Sequence, residues 1–119
     1  MPTPSAHTRQ EGVSGAFAGQ IGETLLVAGG ANFVGAQANA AAGKWFAHEG
    51  LQKKWRDEIY ALREGHWDEI GRLPTGIAYG AAFELPTGLL IVGSEDSSGK
   101  ARADVFQLSL MVQTVALED

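Results

Sequence analysis

The sequence "GLLIVGSEDSSGKARADVFQL" at residues 88–108 repeats a pattern that is already present in "TLLVAGGANF" (24–33) and "DEIYAL" (57–62). Each copy has an apolar run, a glycine pair or near-pair, a polar gap, an acidic residue and then a run that mixes apolar and aromatic residues. Internal repeats of about 40–50 residues are typical of propellers and solenoids. The chain therefore contains two copies of one structural unit.

The two copies differ in length. "GVSGAFAG" (12–19) and "GIAYGAAF" (76–83) begin the copies 64 residues apart, whereas the third strands of the two copies lie 46 residues apart. An insertion of about 18 residues in the first copy, between Gly30 and Asp57, explains the difference. We expect residues 31–56 to form a long loop, and a loop of this length in a compact domain is commonly functional.

Turn residues divide each copy into four short strands. Four antiparallel strands make one propeller blade, so the predicted fold is all-β, with two four-stranded antiparallel blades. We expect an irregular lead-in at 1–11, a first blade at 12–75 that includes the insertion, and a second, terminal blade at 76–119. The predicted strands are 13–20, 24–28, 58–63 and 66–72 in the first copy, and 77–85, 89–92, 105–109 and 113–117 in the second.

Two blades are too few to close a ring, since propellers have about four to eight blades. An open pair would leave blade faces exposed, which favours association. We therefore expect either a longer chain that supplies N-terminal blades or a homo-oligomer, in which three copies would complete about six blades.

Composition excludes several classes of function. The net charge is −5 and there is no basic stripe, so nucleic acid is not an expected partner. The one basic cluster is Lys44, Lys53, Lys54 and Arg56, which we interpret as part of a solvated loop. The absence of cysteine excludes disulfides, thiolate nucleophiles and cysteine metal sites. No apolar run is long enough to span a membrane, and residues 1–11 lack the apolar segment of a signal peptide.

The first copy has the spacing of a kelch repeat. Gly29 and Gly30 close the second strand, Tyr60 follows on the third, and Trp67 lies seven residues later on the fourth. This pattern resembles the kelch motif, in which the glycines let backbones approach and the aromatics fill the space between blades. We therefore interpret Tyr60 and Trp67 as core residues. The second copy departs from the motif at Ser94, Phe106 and Gln113, as a terminal repeat often does.

Longer motifs resemble one bacterial family. "LLVAGGANFVG" (25–35), "AHEGLQKKW" (47–55) and "LPTGIAYGAA" (73–82) are similar to the C-terminal third of N-acetylneuraminate epimerases, also called sialic acid mutarotases. The resemblance covers nearly the whole chain, from about Gly12 onward. "AHEGL" is its most specific part, followed by "AYG" (78–80).

The resemblance implies a fold and a reaction. Members of this family are six-bladed kelch propellers of the periplasm, and they interconvert the α and β anomers of N-acetylneuraminate. This implies acid-base catalysis at the anomeric hydroxyl and ring oxygen, with a cationic side chain holding the carboxylate and with no cofactor or metal. The family's catalytic Glu and Arg would lie upstream of Met1, so this chain would supply the wall of the site.

The insertion contributes candidates for that wall. Strand alternation places 31–56 and 73–76 at one mouth of the propeller, around the central channel, where ligand sites lie. His48 and Glu49 either contact the sugar or pin the long loop by hydrogen bonds. A zinc motif of the HExxH type is not formed, since Gln52 stands where the second histidine would be.

Three further candidates also have two interpretations each. Asn32 either donates to sugar hydroxyls or caps the turn after the glycine pair. Tyr79, on a predicted innermost strand, faces either the channel or the neighbouring strand. Glu95 matches an acidic position of the family or is a solvated turn carboxylate. One departure is Ile77, where the family pattern has an arginine that could bind a carboxylate bidentately.

Three functions remain open on the sequence. The first is the C-terminal portion of a sialic acid mutarotase, inactive without further blades. The second is a non-catalytic kelch module that binds a carbohydrate or a protein. The third is a two-blade unit that assembles with copies of itself.

Overall fold

The structure consists of antiparallel sheets, and short turns join most of the neighbouring strands within each sheet. The computed structural model describes Met1, residues 12–43 and residues 50–110. Its elements, in chain order, are β1 Phe17–Ile21, β2 Thr24–Ala28, β3 Ala31–Phe33, α1 Ala36–Ala41, β4 Lys53–Trp55, β5 Glu58–Arg63, β6 His66–Arg72, β7 Ala81–Leu85, β8 Gly88–Glu95 and β9 Ala101–Ser109. No helix in this part of the chain is long and apolar enough to cross a membrane.

The first sheet has four antiparallel strands in the order β1-β2-β5-β6. Two-residue turns join its hairpins, and the turn at Glu64 and Gly65 has positive φ at both residues, as a type I′ turn requires. Three of its strands have the predicted bounds. The fourth, β1, begins at Phe17 and not at residue 13, because Ser14 pairs with Ala31 of the insertion instead of with β2.

The second sheet has three described strands, β7, β8 and β9, again antiparallel. The predicted fourth strand, 113–117, lies outside the described residues. The predicted start of the first strand at residue 77 is wrong. Tyr79 has a φ of +61°, which interrupts the extended backbone, so β7 begins only at Ala81. Ala78 is held separately, by a two-way backbone pairing with Glu95.

The described part of the insertion forms regular secondary structure, and this corrects its prediction as a loop. Strands β3 and β4 form a two-stranded antiparallel sheet, with Ala31 opposite Trp55 and Phe33 opposite Lys53. The alanine-rich segment "AQANAA" forms the short helix α1, in keeping with the high helix propensity of alanine. Each of these elements is too short to give a periodic sequence signal, which is why the sequence did not predict them.

The core lies between the first and second sheets. Leu89 and Ile91 of β8 are fully buried and face the first sheet. Gly19 of β1 makes the approach possible, since a Cβ there would stand 2.5 Å from Cδ1 of Leu89. The core residues alternate along their strands, as in two packed blades. They are Phe17, Leu26, Ala28, Ala61, Leu73, Ile77, Leu89 and Ile91.

Candidate functional site

A cavity of about 280 Å³ lies where the lead-in to β1, the insertion and the lead-in to β7 meet. Its walls come from residues 12–14, from 31–33 with Ala36, and from the side chains of Lys53 and Tyr79. The insertion therefore contributes more than half of the residues that line this cavity.

Asn32 is one wall of the cavity. Its Nδ2 donates a hydrogen bond to the carbonyl oxygen of Gly12 at 3.0 Å. This bond spans 20 residues, so Asn32 does not cap the local turn; it fastens the Gly12 segment to β3. Its Oδ1 is buried and accepts no hydrogen bond from the part of the chain that the structure describes.

Tyr79 faces the cavity, and the residue is 43% exposed. Its backbone N–H donates to the carbonyl oxygen of Gly15 at 2.9 Å, and its ring lies so close to Gly15 that a Cβ at that position would overlap the ring. A positive φ in a bulky residue costs about 1–3 kcal/mol and occurs often at functional sites. Tyr79 is thus held in a strained conformation by a neighbour that has to be glycine.

Lys53 lines the cavity, although the sequence did not single it out as a site residue. Its Nζ lies 4.4 Å from the ring centroid of Tyr79 and 4.9 Å from that of Trp55, both within cation–π range. The sequence prediction placed Lys53 in a solvated basic cluster, yet it is half-buried beside the cavity. Alternation in "KKW" was the available signal, because it puts Lys53 and Trp55 on one side of a strand and the exposed Lys54 on the other.

One predicted wall residue lies elsewhere. Glu95 ends β8, is half-buried and does not line the cavity. His48 and Glu49 lie outside the described residues. Ile77 is completely buried in the core between the sheets, so this position packs against apolar side chains instead of facing the cavity.

Behind the cavity, the glycine pair joins the two sheets. Gly29 and Gly30 have φ values of +68° and +93°. The Gly29 N–H donates to the carbonyl oxygen of Glu58 at 3.1 Å, and the Gly30 N–H donates to that of Ile77 at 2.8 Å. A Cβ on Gly29 would stand 2.6 Å from the Ile77 carbonyl oxygen, so glycine is needed for both its backbone angles and its size.

A buried ion pair supports the same joint. Arg56 donates from Nη2 to Oε2 of Glu58 at 2.5 Å and from Nε to Oε1 at 3.1 Å. The two side chains are only 12% and 4% exposed. Burial raises the pKa of Glu58, but the hydrogen bonds from Arg56 and from a backbone N–H outweigh it, so the net pKa is lowered.

The two predicted core aromatics differ in burial. Tyr60 is 4% exposed and belongs to the interior. Trp67 is only half-buried, because β6 is the edge strand of the first sheet. Its role as a core residue between adjacent blades stays a prediction. No cluster of three or more His, Asp or Glu residues that could hold a metal ion occurs in residues 12–43 and 50–110.

The sequence matches a family model. The model described as N-acetylneuraminate epimerase matches residues 1–117. The chain belongs to the N-acetylneuraminate epimerase family.

Members of this family are similar to the chain over its full length. N-acetylneuraminate epimerase of Brucella suis is 57% identical over 119 residues, and that of Vibrio vulnificus is 43% identical over the same 119 residues. Each alignment covers 100% of this chain but 31% of the relative. The chain therefore spans about a third of the length of these epimerases.

A solved structure, titled "Structure of YjhT", has the same fold over this region. It superposes with a TM-score of 0.84 at 38% identity, covering 95% of this chain and 31% of that chain. YjhT is a β-propeller, so the prediction of all-β propeller blades is confirmed.

Proposed function

We propose that this chain forms two neighbouring kelch-type blades of an N-acetylneuraminate epimerase and supplies part of the wall of its sugar site. The single observation that carries the proposal is the cavity beside the insertion, with a cation and an aromatic ring, in a chain 57% identical to a relative of that name. Sugar sites need such polar and aromatic groups at a concave surface.

The reaction proposed is interconversion of the α and β anomers of N-acetylneuraminate. Ring opening removes a proton from the anomeric hydroxyl and adds one to the ring oxygen, and closure on the other face reverses both transfers. The described residues that line the cavity include no Asp, Glu or His. We therefore assign the proton transfers to none of these described residues. On the family resemblance, we propose that other blades supply the catalytic groups.

Two routes could bring those blades to the site. One is covalent, in a longer chain. The other is association, with three copies of this chain making about six blades. The apolar outer face of the second sheet supports either route, since Phe83 is 55% and Val105 is 58% exposed. On the family resemblance alone, we also propose a periplasmic location.

A second candidate function is a non-catalytic kelch module that binds a sugar or a protein. Among the described residues, the cavity wall has no acidic or histidine side chain, and this favours the alternative. It requires the cavity but no proton-transferring group.

Proton NMR of anomerically pure N-acetylneuraminate, with light scattering on the same sample, separates the candidates. The partial-site proposal expects binding without faster mutarotation from a monomeric chain, and faster mutarotation from an assembled ring. Mutarotation no faster than the buffer control in a closed ring would favour the binding module. Absence of sugar binding in either state would overturn the proposal.

A further inference from the structure

We propose that Lys53 is the carboxylate-binding group of the cavity, and that Trp55 and Tyr79 are positioning residues that hold its ammonium group. The inference rests on the proposed function in taking a sugar acid as the ligand. According to this inference, Lys53 of the insertion makes the cavity prefer an anionic sugar to a neutral one.

The charge of Lys53 is uncompensated within the described part of the chain. The guanidinium groups of Arg56, Arg72 and Arg102 each pair with one or two carboxylates. Lys53 forms no such ion pair with residues 12–43 or 50–110 and contacts two aromatic rings instead. A half-buried ammonium group beside a cavity attracts an anion more strongly than a fully solvated one, because screening by water is weaker there.

The two rings fix where that charge lies. A lysine side chain has four rotatable carbon–carbon bonds, and ordering it on binding reduces affinity. Contacts of 4.4 Å to Tyr79 and 4.9 Å to Trp55 restrict the ammonium group before a ligand arrives. The rings attract the cation through their π faces and do not accept its N–H groups as a carboxylate would, so its donors stay available.

Tyr79 is itself fixed by the backbone. Its φ of +61° and the hydrogen bond from its N–H to Gly15 hold the residue beside Lys53 at the cavity. The strain in Tyr79 therefore has a function in this proposal, which is to place an aromatic face under the ammonium group.

The chemistry of the site defines the class of ligand. One ammonium group is a point charge that suits a single carboxylate, without the bidentate geometry of arginine. The cavity of about 280 Å³ admits the carboxylate and part of a sugar ring. The expected ligand is a monocarboxylate sugar, and a neutral amino sugar of similar size should bind more weakly.

The test is NMR titration of the full chain with three probes: N-acetylneuraminate, glucuronate and the neutral N-acetylmannosamine. Lys53→Met removes the charge and keeps an unbranched side chain of similar shape. Lys54→Met is the matched control, because it removes the same charge from the exposed side of the same strand. We expect Lys53→Met to weaken carboxylate binding roughly tenfold or more, and Lys54→Met to change it less than about twofold.

The positioning role has its own readout. Tyr79→Phe keeps the ring and should retain most of the carboxylate affinity, whereas Tyr79→Leu should weaken carboxylate binding by a larger factor than it weakens binding of the neutral sugar. The affinity of wild type should also fall with added salt, and that of Lys53→Met should not. Lys53→Arg keeps the positive charge and should retain carboxylate binding. An NMR spectrum like that of wild type shows that a substitution at residue 53 leaves the chain folded.

Failure of this inference differs from failure of the proposed function. If N-acetylneuraminate binds equally to wild type and Lys53→Met, the lysine assignment is overturned and the family function stands. If both carboxylates bind through Lys53 with no preference for N-acetylneuraminate, the lysine assignment stands and the proposed sugar is overturned. If no carboxylate binds wild type, the inference is overturned.

Discussion

The backbone N–H of Gly30 donates to the carbonyl oxygen of Ile77 at 2.8 Å, and this bond ties the end of β2 to the segment that enters the second sheet. Around it, Arg56 donates its N–H to the Gly30 carbonyl oxygen at 2.7 Å, and Ile77 donates its own to the Arg56 carbonyl oxygen at 3.2 Å. Three segments far apart in sequence thus meet through main-chain groups. The joint holds the insertion, the core and the cavity in one arrangement.

Gly29→Ala should destabilise the chain by roughly 2–4 kcal/mol, because it combines a positive φ with a Cβ 2.6 Å from the Ile77 carbonyl oxygen. Gly22→Ala is the matched control, since Gly22 has a φ of +62° but nothing within 4 Å of an added Cβ. It should cost only about 1 kcal/mol. Urea unfolding measures both, and equal losses would show that the close approach at Gly29 is unimportant.

Arg56→Met should destabilise the chain by about 3 kcal/mol, because it leaves the nearly buried Glu58 carboxylate without its partner. The double variant Arg56→Met/Glu58→Leu removes both charges and should recover most of that loss. The exposed Arg72 and Asp57 pair is the control, and its removal should change stability by less than about 1 kcal/mol. Lack of recovery in the double variant would mean that Arg56 acts through its packing and not its charge.

Glu58 also predicts a pH dependence. Its pKa in the folded state is lowered from the ordinary value of 4.5, so the unfolded state binds more protons in this range. Its contribution to stability is complete above about pH 4.5 and is lost as the pH falls through the folded pKa. Glu58→Gln should remove this part of the pH dependence in urea unfolding between pH 7 and pH 3. An unchanged slope below pH 4.5 would contradict the assignment.

Much of the sheet architecture was predictable because strands of five or more residues with turn residues at their ends give a clear signal. The bounds of β2, β5 and β6 were predicted to the residue. The lead-ins to β1 and β7 were not. Both contain backbone conformations imposed by tertiary contacts, the Ser14 pairing with Ala31 and the positive φ of Tyr79, and neither has a local sequence pattern.

The candidate site was only partly predictable, for a related reason. The sequence marked Asn32 and Tyr79, which the structure brings to one cavity, and it marked Glu95, which the structure places elsewhere. It missed Lys53, because a lysine between polar residues looks solvated until a distant tyrosine is known to lie beside it. Contacts between segments about 25 residues apart depend on the fold and not on spacing.

Asp96 should titrate with a pKa of about 2, well below its ordinary value of 3.8. Hydrogen bonds from the Ser98 hydroxyl, from the Ser98 backbone N–H and from Arg102 stabilise the carboxylate form. Carboxyl ¹³C NMR measures the value directly. Ser98→Ala should raise the pKa towards 3.8, whereas Ser97→Ala, one residue earlier in the same turn, should leave it in place.

The stability contributed by Asp96 should be present above about pH 3.8 and should be lost as the pH falls towards 2, since its folded pKa is the lower one. A midpoint near 3.8 in wild type would show that the turn does not hold these hydrogen bonds in solution.

Trp67→Ala tests whether the outer face of the first sheet is covered by another blade. Trp67 lies opposite Leu62 on the edge strand and is half-buried, so in a monomeric chain its loss should cost only about 1–2 kcal/mol. Leu26, which is 1% exposed, is the reference for a core position, and Leu26→Ala should cost roughly 2–5 kcal/mol.

Measurements at several protein concentrations show whether this face is covered by a second copy of the chain or is uncovered. If copies of the chain dock on this face, the loss of unfolding free energy caused by Trp67→Ala should be larger at protein concentrations at which wild type associates. At those concentrations, light scattering should give a lower mass for the variant than for wild type. Leu26→Ala should keep the mass of wild type under conditions in which the variant is still folded. A loss for Trp67→Ala as large as that for Leu26→Ala in a monomeric sample would mean that the face is already covered within one chain.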